Sequence, residues 1–300
     1  MKSIVRKANS RAAFTIVELL TVMSIIVILI GLLVPALNQV RNYARVVKQQ
    51  AQFNSINVAI ELFNSEFETF PDSSATGPDG GAYCGAMKLG EAMVGQDLMG
   101  FHPHSIFKSD GTDYNGNQLY STLTGPKVDT TARKGPYLPI ENANAYRLQD
   151  IYAETGNFDP SHFVLCDVFG RVTNRNTGKR IGMPILYYKA NTANTLHDID
   201  NPDNPQNIYN YKDNNELVML GKPFDPLSQG GTHHRLAVDP TNSAPGYRFY
   251  MNITNEQMLA TTTAAVRPYR EDTYILISAG YDGEYGTPDD ICNFDWKYRD

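Results

Sequence analysis

Cysteine is scarce in this 300-residue chain. Cys84, Cys166 and Cys292 are too few for a disulfide scaffold, and their spacing matches no zinc module. Basic residues are outnumbered, 26 against 32 acidic, for a net charge of −6, and no basic run interleaved with aromatics occurs after residue 48. This argues against nucleic-acid binding. No Gly-x-Ser-x-Gly turn, phosphate loop or dinucleotide fingerprint is present, and the chain is read as a non-enzyme. The six histidines form two close pairs, His102-Pro103-His104 and His233-His234, neither with the helical spacing of a zinc protease. They read as exposed loop residues. With 23 glycines, 17 prolines and 19% charged residues, collagen-like, low-complexity and disordered classes do not fit either. Apolar residues make up 42%, and they are unevenly spread.

The amino end is where they concentrate. Residues 1–13 carry Lys2, Arg6, Lys7 and Arg11 and no acid. From Phe14 to Leu37 the chain is apolar with one ionisable group, Glu18. A helix of that length spans about 36 Å, enough to cross a bilayer core of about 30 Å. Flanking positive charge keeps the amino end cytoplasmic and places the chain beyond residue 38 outside. The apolar stretch runs on into a helical pattern instead of a cleavage site, so it reads as a retained single-pass anchor. A carboxylate in hydrocarbon costs at least ~2.5 kcal/mol, which makes Glu18 a functional candidate in need of a partner. The plainer alternative is that Glu18 reaches interfacial water.

The run Ala13-Phe14-Thr15-Ile16-Val17-Glu18-Leu19-Leu20 resembles the class III signal of type IV pilins and type II secretion pseudopilins. That resemblance implies cutting between Ala13 and Phe14 by a prepilin peptidase, then methylation of the new amino terminus. The family usually has Gly before the cut, where this chain has Ala13. It also implies a helical filament in which Glu18 meets the ammonium of Phe14 on a neighbouring subunit, assembled on an inner-membrane platform. Charges about 4 Å apart attract by about 4 kcal/mol at an effective dielectric near 20, which offsets their desolvation. Gly31 and Pro35 occupy the region where family members carry helix-breaking residues, so the helix is expected to melt there on assembly. A harmless kink at the membrane surface is the alternative.

Residues 38–67 contain no Gly or Pro and predict one continuous helix, closed at Phe70-Pro71. Val40, Ala44, Val47, Ala51, Val58 and Leu62 project within about 60° of one another. Phe53, Ile56, Ile60, Phe63 and Phe67 lie on the opposite side. The bulky stripe is expected to pack on the chain's own head, and the smaller one on neighbouring helices. Burial of both within one domain is the alternative. Residues 63–71 are similar to the close of the pseudopilin helix, except that Glu68 stands where Gly is common.

Residues 72–135 read as irregular, with at most a short helix around 87–99. Strands are predicted at 162–169, 184–190, 216–220, 247–253 and 273–279, and a small helix at 255–266. The fold class is α+β: a long amino-terminal helix packed against a small antiparallel sheet head with large loop insertions, as in pilins. The divisions are a leader at 1–13, a transmembrane or filament-core helix at 14–37, an amphipathic spine at 38–71 and an extracytoplasmic head at 72–300. Gly135-Pro136-Tyr137-Leu138, Asp167-Val168-Phe169-Gly170 and Pro184-Ile185-Leu186-Tyr187-Tyr188 resemble islands of the major pseudopilin head. Segments 171–183 and 191–246 would then be insertions.

The last island, residues 279–294, packs four acids into nine residues with Gly283 and Gly286. Crowded carboxylates repel unless a cation is present, and Ca²⁺ takes 6–8 oxygens. The spacing is not an EF-hand. It resembles the calcium loop of the major pseudopilin, which implies Asp282, Asp289 and Asp290 as side-chain ligands with oxygens of Ala279 and Thr287. A solvated acidic turn is the alternative. The functional expectation is a structural filament subunit of a type II secretion or type IV pilus-like system. The competing expectation is a membrane-tethered extracytoplasmic binding module that uses the pilin segment only for export. The 18 tyrosines suit a polar loop surface or a sugar-binding face equally.

Overall fold

The computed structural model describes residues 15–121, 128, 130–174, 176–223, 233–238, 244–255 and 266–295. The leader, Ala13, Phe14 and most of the helix predicted at 255–266 lie outside these. The chain divides into two compact units, Met1–Ala44 and Arg45–Asp300.

In the first unit, helix α1 (Ile16–Phe67) begins directly after Thr15. Thr15 N–H and Oγ1 donate to Glu18 Oε2 at 2.9 and 2.8 Å, while Glu18 N–H donates to Thr15 Oγ1 at 3.2 Å. These reciprocal bonds make a capping box, which satisfies helix-end donors that have no partner within the helix. Thr21 and Ser24 turn their hydroxyls back onto the Val17 and Leu20 carbonyls. All side chains from Thr15 to Ala44 are exposed. The helix is long and apolar enough to cross a membrane. It passes through Gly31 and Pro35 without interruption. Pro35 forfeits one backbone bond and crowds the carbonyl four residues back, which belongs to Gly31.

In the second unit, α1 continues from Arg45 and buries Phe53, Ile56, Ala59, Ile60 and Phe63. These meet Leu89, Met93, Phe101, Leu138, Tyr187 and Leu276 in one core cluster. Fully burying each large side chain contributes about 1.5–3 kcal/mol. Phe63 packs edge-on against Phe101 and Tyr137, with ring centroids 5.1 and 5.7 Å away. The bulky stripe therefore packs on the chain's own head, as its spacing predicts. The other face stays open: Val58 is 61% and Leu62 50% exposed. Two polar anchors extend the seam. Gln52 Nε2 donates to the Cys166 carbonyl at 2.9 Å, and Val168 N–H donates to Gln49 Oε1 at 3.0 Å.

α1 stops at Phe67, three residues before the predicted close, because Glu68 turns left-handed at φ 56°. That conformation costs a residue with a Cβ about 1 kcal/mol and costs glycine little. Glu68→Gly is expected to raise the thermal midpoint by about 2–4 °C in a domain of this size. An unchanged or lower midpoint in differential scanning calorimetry would contradict this account of the helix end.

Among the described residues the head has three small antiparallel sheets where one was expected. β1 (Ala145–Arg147) pairs with β2 (Phe163–Leu165), and β3 (Val172–Thr173) with β4 (Arg180–Ile181). The third sheet runs β5 (Leu186–Lys189), β6 (Tyr274–Ser278), β7 (Ile291–Cys292). The α+β layout holds. Helix α2 (Gly85–Val94) is buried along its whole length. It approaches the sheets closely through glycines: a Cβ on Gly85 would lie 2.2 Å from the Tyr187 carbonyl oxygen, and one on Gly90 2.7 Å from that of Phe163. Short helices α3 (Ile140–Ala143) and α4 (Leu148–Ile151) flank β1.

Two predicted strands are helices. Residues 216–220 fall largely in α5 (Lys212–Met219), and 247–253 form α6 (Tyr247–Ile253). In α5 the buried positions are Asp213, Asn214, Leu217 and Val218, a helical spacing hidden by two polar members. In α6 the aromatic composition is strand-like, but Phe249, Tyr250 and Ile253 bury together on a core that overrides the propensity. The three cysteines are free thiols.

Candidate functional site

The acidic loop Ala279–Asp290 joins β6 to β7, whose pairing of Ile277 with Cys292 and Ser278 with Ile291 clamps both of its ends. Gly280 sits at φ 64°, where a Cβ would lie 2.2 Å from the Asp289 carbonyl oxygen. Within this tight turn Asp282 N–H donates to Asp289 Oδ2 at 2.8 Å, and Glu284 N–H to Asp282 Oδ1 at 2.7 Å. The Thr287 hydroxyl lies 2.7 Å from Asp289 Oδ1. Gly286 N–H donates to Asp290 Oδ2 at 2.7 Å, while Asp290 Oδ1 is buried with no hydrogen-bond partner among the described residues. Ala279 is buried at the loop's start.

Burial, reinforced by the charge of Asp289, pushes the Asp282 carboxyl up to about 6. Burial, with Asp289 and Asp282 beside it, pushes Asp290 well above the usual carboxylate range. The donors are all oxygen, which suits a hard cation such as Ca²⁺, and a cation would offset the burial and crowding that raise Asp282 and Asp290. The orphaned Asp290 oxygen is the observation that most favours one. Among the described residues no three His, Cys, Asp or Glu side chains are gathered closely enough to form a metal centre by themselves. Backbone and hydroxyl oxygens would have to complete the shell.

Several supporting residues carry no signal in the sequence pattern. Lys222 Nζ binds Glu284 at 2.5 Å. His234 is buried with Nε2 3.1 Å from the Gly221 carbonyl, and its Nδ1 accepts from Tyr285 N–H at 3.2 Å. Burial pushes its imidazole down to about 3. His102, His162 and His197 are buried as well, which corrects the expectation of exposed loop histidines. Their rings hold separate segments together: His162 Nε2 lies 2.8 Å from the Ser109 carbonyl, His197 Nε2 3.0 Å from that of Tyr250. Only long-range packing places those carbonyls there. Asp167 of the pseudopilin-like island accepts from Phe169 and Met183 N–H, and from Ser278 Oγ at 2.9 Å. It ties that turn to β6, and burial pushes its carboxyl up to about 7.

These shifts set a sign. A carboxyl raised in the folded state contributes most below the unfolded value of about 3.9, and its contribution is lost as pH rises through the folded value. In chelator, the loop is expected to lose stability from about pH 4 through 6 and above. His234, shifted the other way, loses its contribution as pH falls below about 6.5. Calcium competes with protons for the same oxygens, so the thermal shift on adding it is expected to be larger at pH 7.5 than at pH 5. Equal shifts at both values, or none, would remove calcium from this loop.

Glu18, Gly31 and Pro35 lie on α1 in the first unit, with Glu18 in its first turn. Compared with protein families, curated proteins and solved structures, the chain matches none.

Proposed function

We propose that this chain is a pilin-like structural subunit of a type II secretion or type IV pilus-like filament. The observation that carries the reading is the amino-terminal half of α1. Its side chains are exposed from Thr15 onward, it is apolar through Leu37, and it contains one acid. A surface of that kind is not stable in water and needs either lipid or other copies of itself. Both requirements are met if the segment first anchors the chain in the cytoplasmic membrane, amino end inside and head outside, and then packs into a filament core. The prepilin peptidase cut before Phe14 creates the ammonium that pairs with Glu18 of a neighbour, and an inner-membrane platform carries out the assembly. Gly31 and Pro35 are the places where the helix loosens on extraction from the membrane.

Within the head, Asp282, Asp289 and Asp290, with oxygens of Ala279 and Thr287, would hold Ca²⁺. The ion would neutralise crowded carboxylates and stiffen a loop that Ala279 and Tyr285 anchor in the hydrophobic core. The work of the subunit is mechanical.

The exposed stripe provides the test. Val58→Glu places a charge on the open face of α1, away from the head's core. Filaments sheared from cells are expected to disappear in electron micrographs, while the melting midpoint of the purified chain stays within about 1 °C. Filaments at parental abundance would overturn the reading.

A further inference from the structure

The head contains a polar cleft of about 610 Å³, of the size that holds small ligands. Its walls are residues 72–74, just beyond the end of α1, the segment 189–194 leaving β5, and the segment leading into α5. The walls are braced from within. Asn194 Nδ2 donates to the Pro205 and Asn207 carbonyls at 2.9 and 2.7 Å, and Tyr250 OH to the Tyr209 carbonyl at 2.6 Å. At the floor lies Asp213, 6% exposed. Ser73 Oγ donates to its Oδ2 at 2.5 Å, while its other oxygen makes no hydrogen bond to a described residue. Burial pushes this carboxyl up to about 7, against the Ser73 hydroxyl, so near neutrality it can both donate and accept.

With the Asp213 carboxyl protonated, the charged lining residues balance, Asp72 and Asp203 against Lys189 and Lys212. Lys212 pairs with Asp203 at 2.7 Å, and Asp72 with Lys88 at 2.5 Å. Lys189 Nζ donates to Thr69 Oγ1 and the Phe70 carbonyl. Nothing in this arrangement selects a free anion or cation. The remaining lining is dominated by the amides of Asn191, Asn194, Asn204 and Asn210 and the Thr192 hydroxyl, with few apolar side chains to receive those of a peptide; Tyr209 and Tyr250 are fully buried behind it. Groups that donate and accept at close spacing, without net charge and with little apolar surface, match a polyhydroxylated ligand. We propose that this cleft binds a neutral saccharide unit, with Asp213 as its buried hydrogen-bonding anchor. The proposal is independent of filament assembly, since the cleft lies wholly within the second unit.

The test is saturation-transfer NMR on the full chain in a detergent without a sugar headgroup, with cellobiose, maltose, lactose and chitobiose at about 10 mM each. Transfer to at least one of the four is expected. Thr192→Trp, at an exposed lining position, is expected to weaken that signal about tenfold with an unchanged melting midpoint. Asp213→Asn keeps the shape of the floor and is expected to weaken binding about three- to tenfold. No transfer from any of the four, or equal transfer in Thr192→Trp, overturns the proposal. Binding of glucuronate or inorganic phosphate that Thr192→Trp abolishes, with none of the neutral sugars, overturns it too.

Discussion

Glu18→Gln is expected to abolish filaments while leaving α1 and the head intact. The substitution separates two roles that Glu18 combines. Its Oε2 accepts from Thr15 N–H and Oγ1, and the Gln side chain can retain that capping box. What Gln cannot retain is the charge. If Glu18 pairs with the ammonium of Phe14 on an adjacent copy, the loss is about 4 kcal/mol at 4 Å and an effective dielectric near 20. That corresponds to about a thousandfold in subunit association. Glu18→Ala loses the cap as well, worth about 1 kcal/mol, and the difference between the two variants measures capping alone. Mass determination of the mature amino terminus, in parent and variant alike, checks whether the proposed cut before Phe14 occurs. Normal filaments from Glu18→Gln would show that the carboxylate serves only its own helix, and would end the charge-pair mechanism.

The largest effect on the head is expected from Glu91→Leu. Glu91 is 1% exposed and sits in α2, the wholly buried helix. Tyr83 OH donates to its Oε2 at 2.6 Å and Gln96 Nε2 at 3.1 Å. Tyr120 OH donates to Oε1 at 2.7 Å, and Ser105 Oγ to the same oxygen. One carboxyl group on α2 thus gathers donors from residues 83, 96, 105 and 120, each of which lies outside any helix or strand. Leucine fills a similar volume but leaves those donors facing an apolar side chain. At about 1–3 kcal/mol for each donor left unpaired, a loss of at least about 4 kcal/mol is expected. That lowers the melting midpoint by about 8–16 °C. Tyr120→Phe, which removes one donor and leaves the acceptor satisfied by the others, is expected to cost far less. A Glu91→Leu midpoint within about 3 °C of the parent would mean that the network contributes little.

How legible the protein was depends on the distance over which each feature is decided. The apolar run after Phe14, its lone acid and the two stripes of the spine could be read from spacing alone. Helix periodicity is a local property, and a segment with two apolar faces must bury both somewhere. The bulky face proved to be the one inside. The capping box at Thr15 and Glu18 was equally local, and its Thr-x-x-Glu spacing was there to be read. The left-handed turn at Glu68 was hinted at by a residue standing where glycine is common.

The sequence by itself determined the long helix, which faces were apolar, and a carboxylate-rich turn near the carboxyl end. Tertiary structure alone decided that 216–220 and 247–253 coil as helices, that four histidines go inside, and that Asp213 floors a cleft. In each of these cases the deciding partner lies far along the chain: the carbonyl facing His162 belongs to Ser109, and the hydroxyl on Asp213 to Ser73. Burial shifts a carboxyl or an imidazole only once such partners have converged, and no local pattern of residues records that convergence.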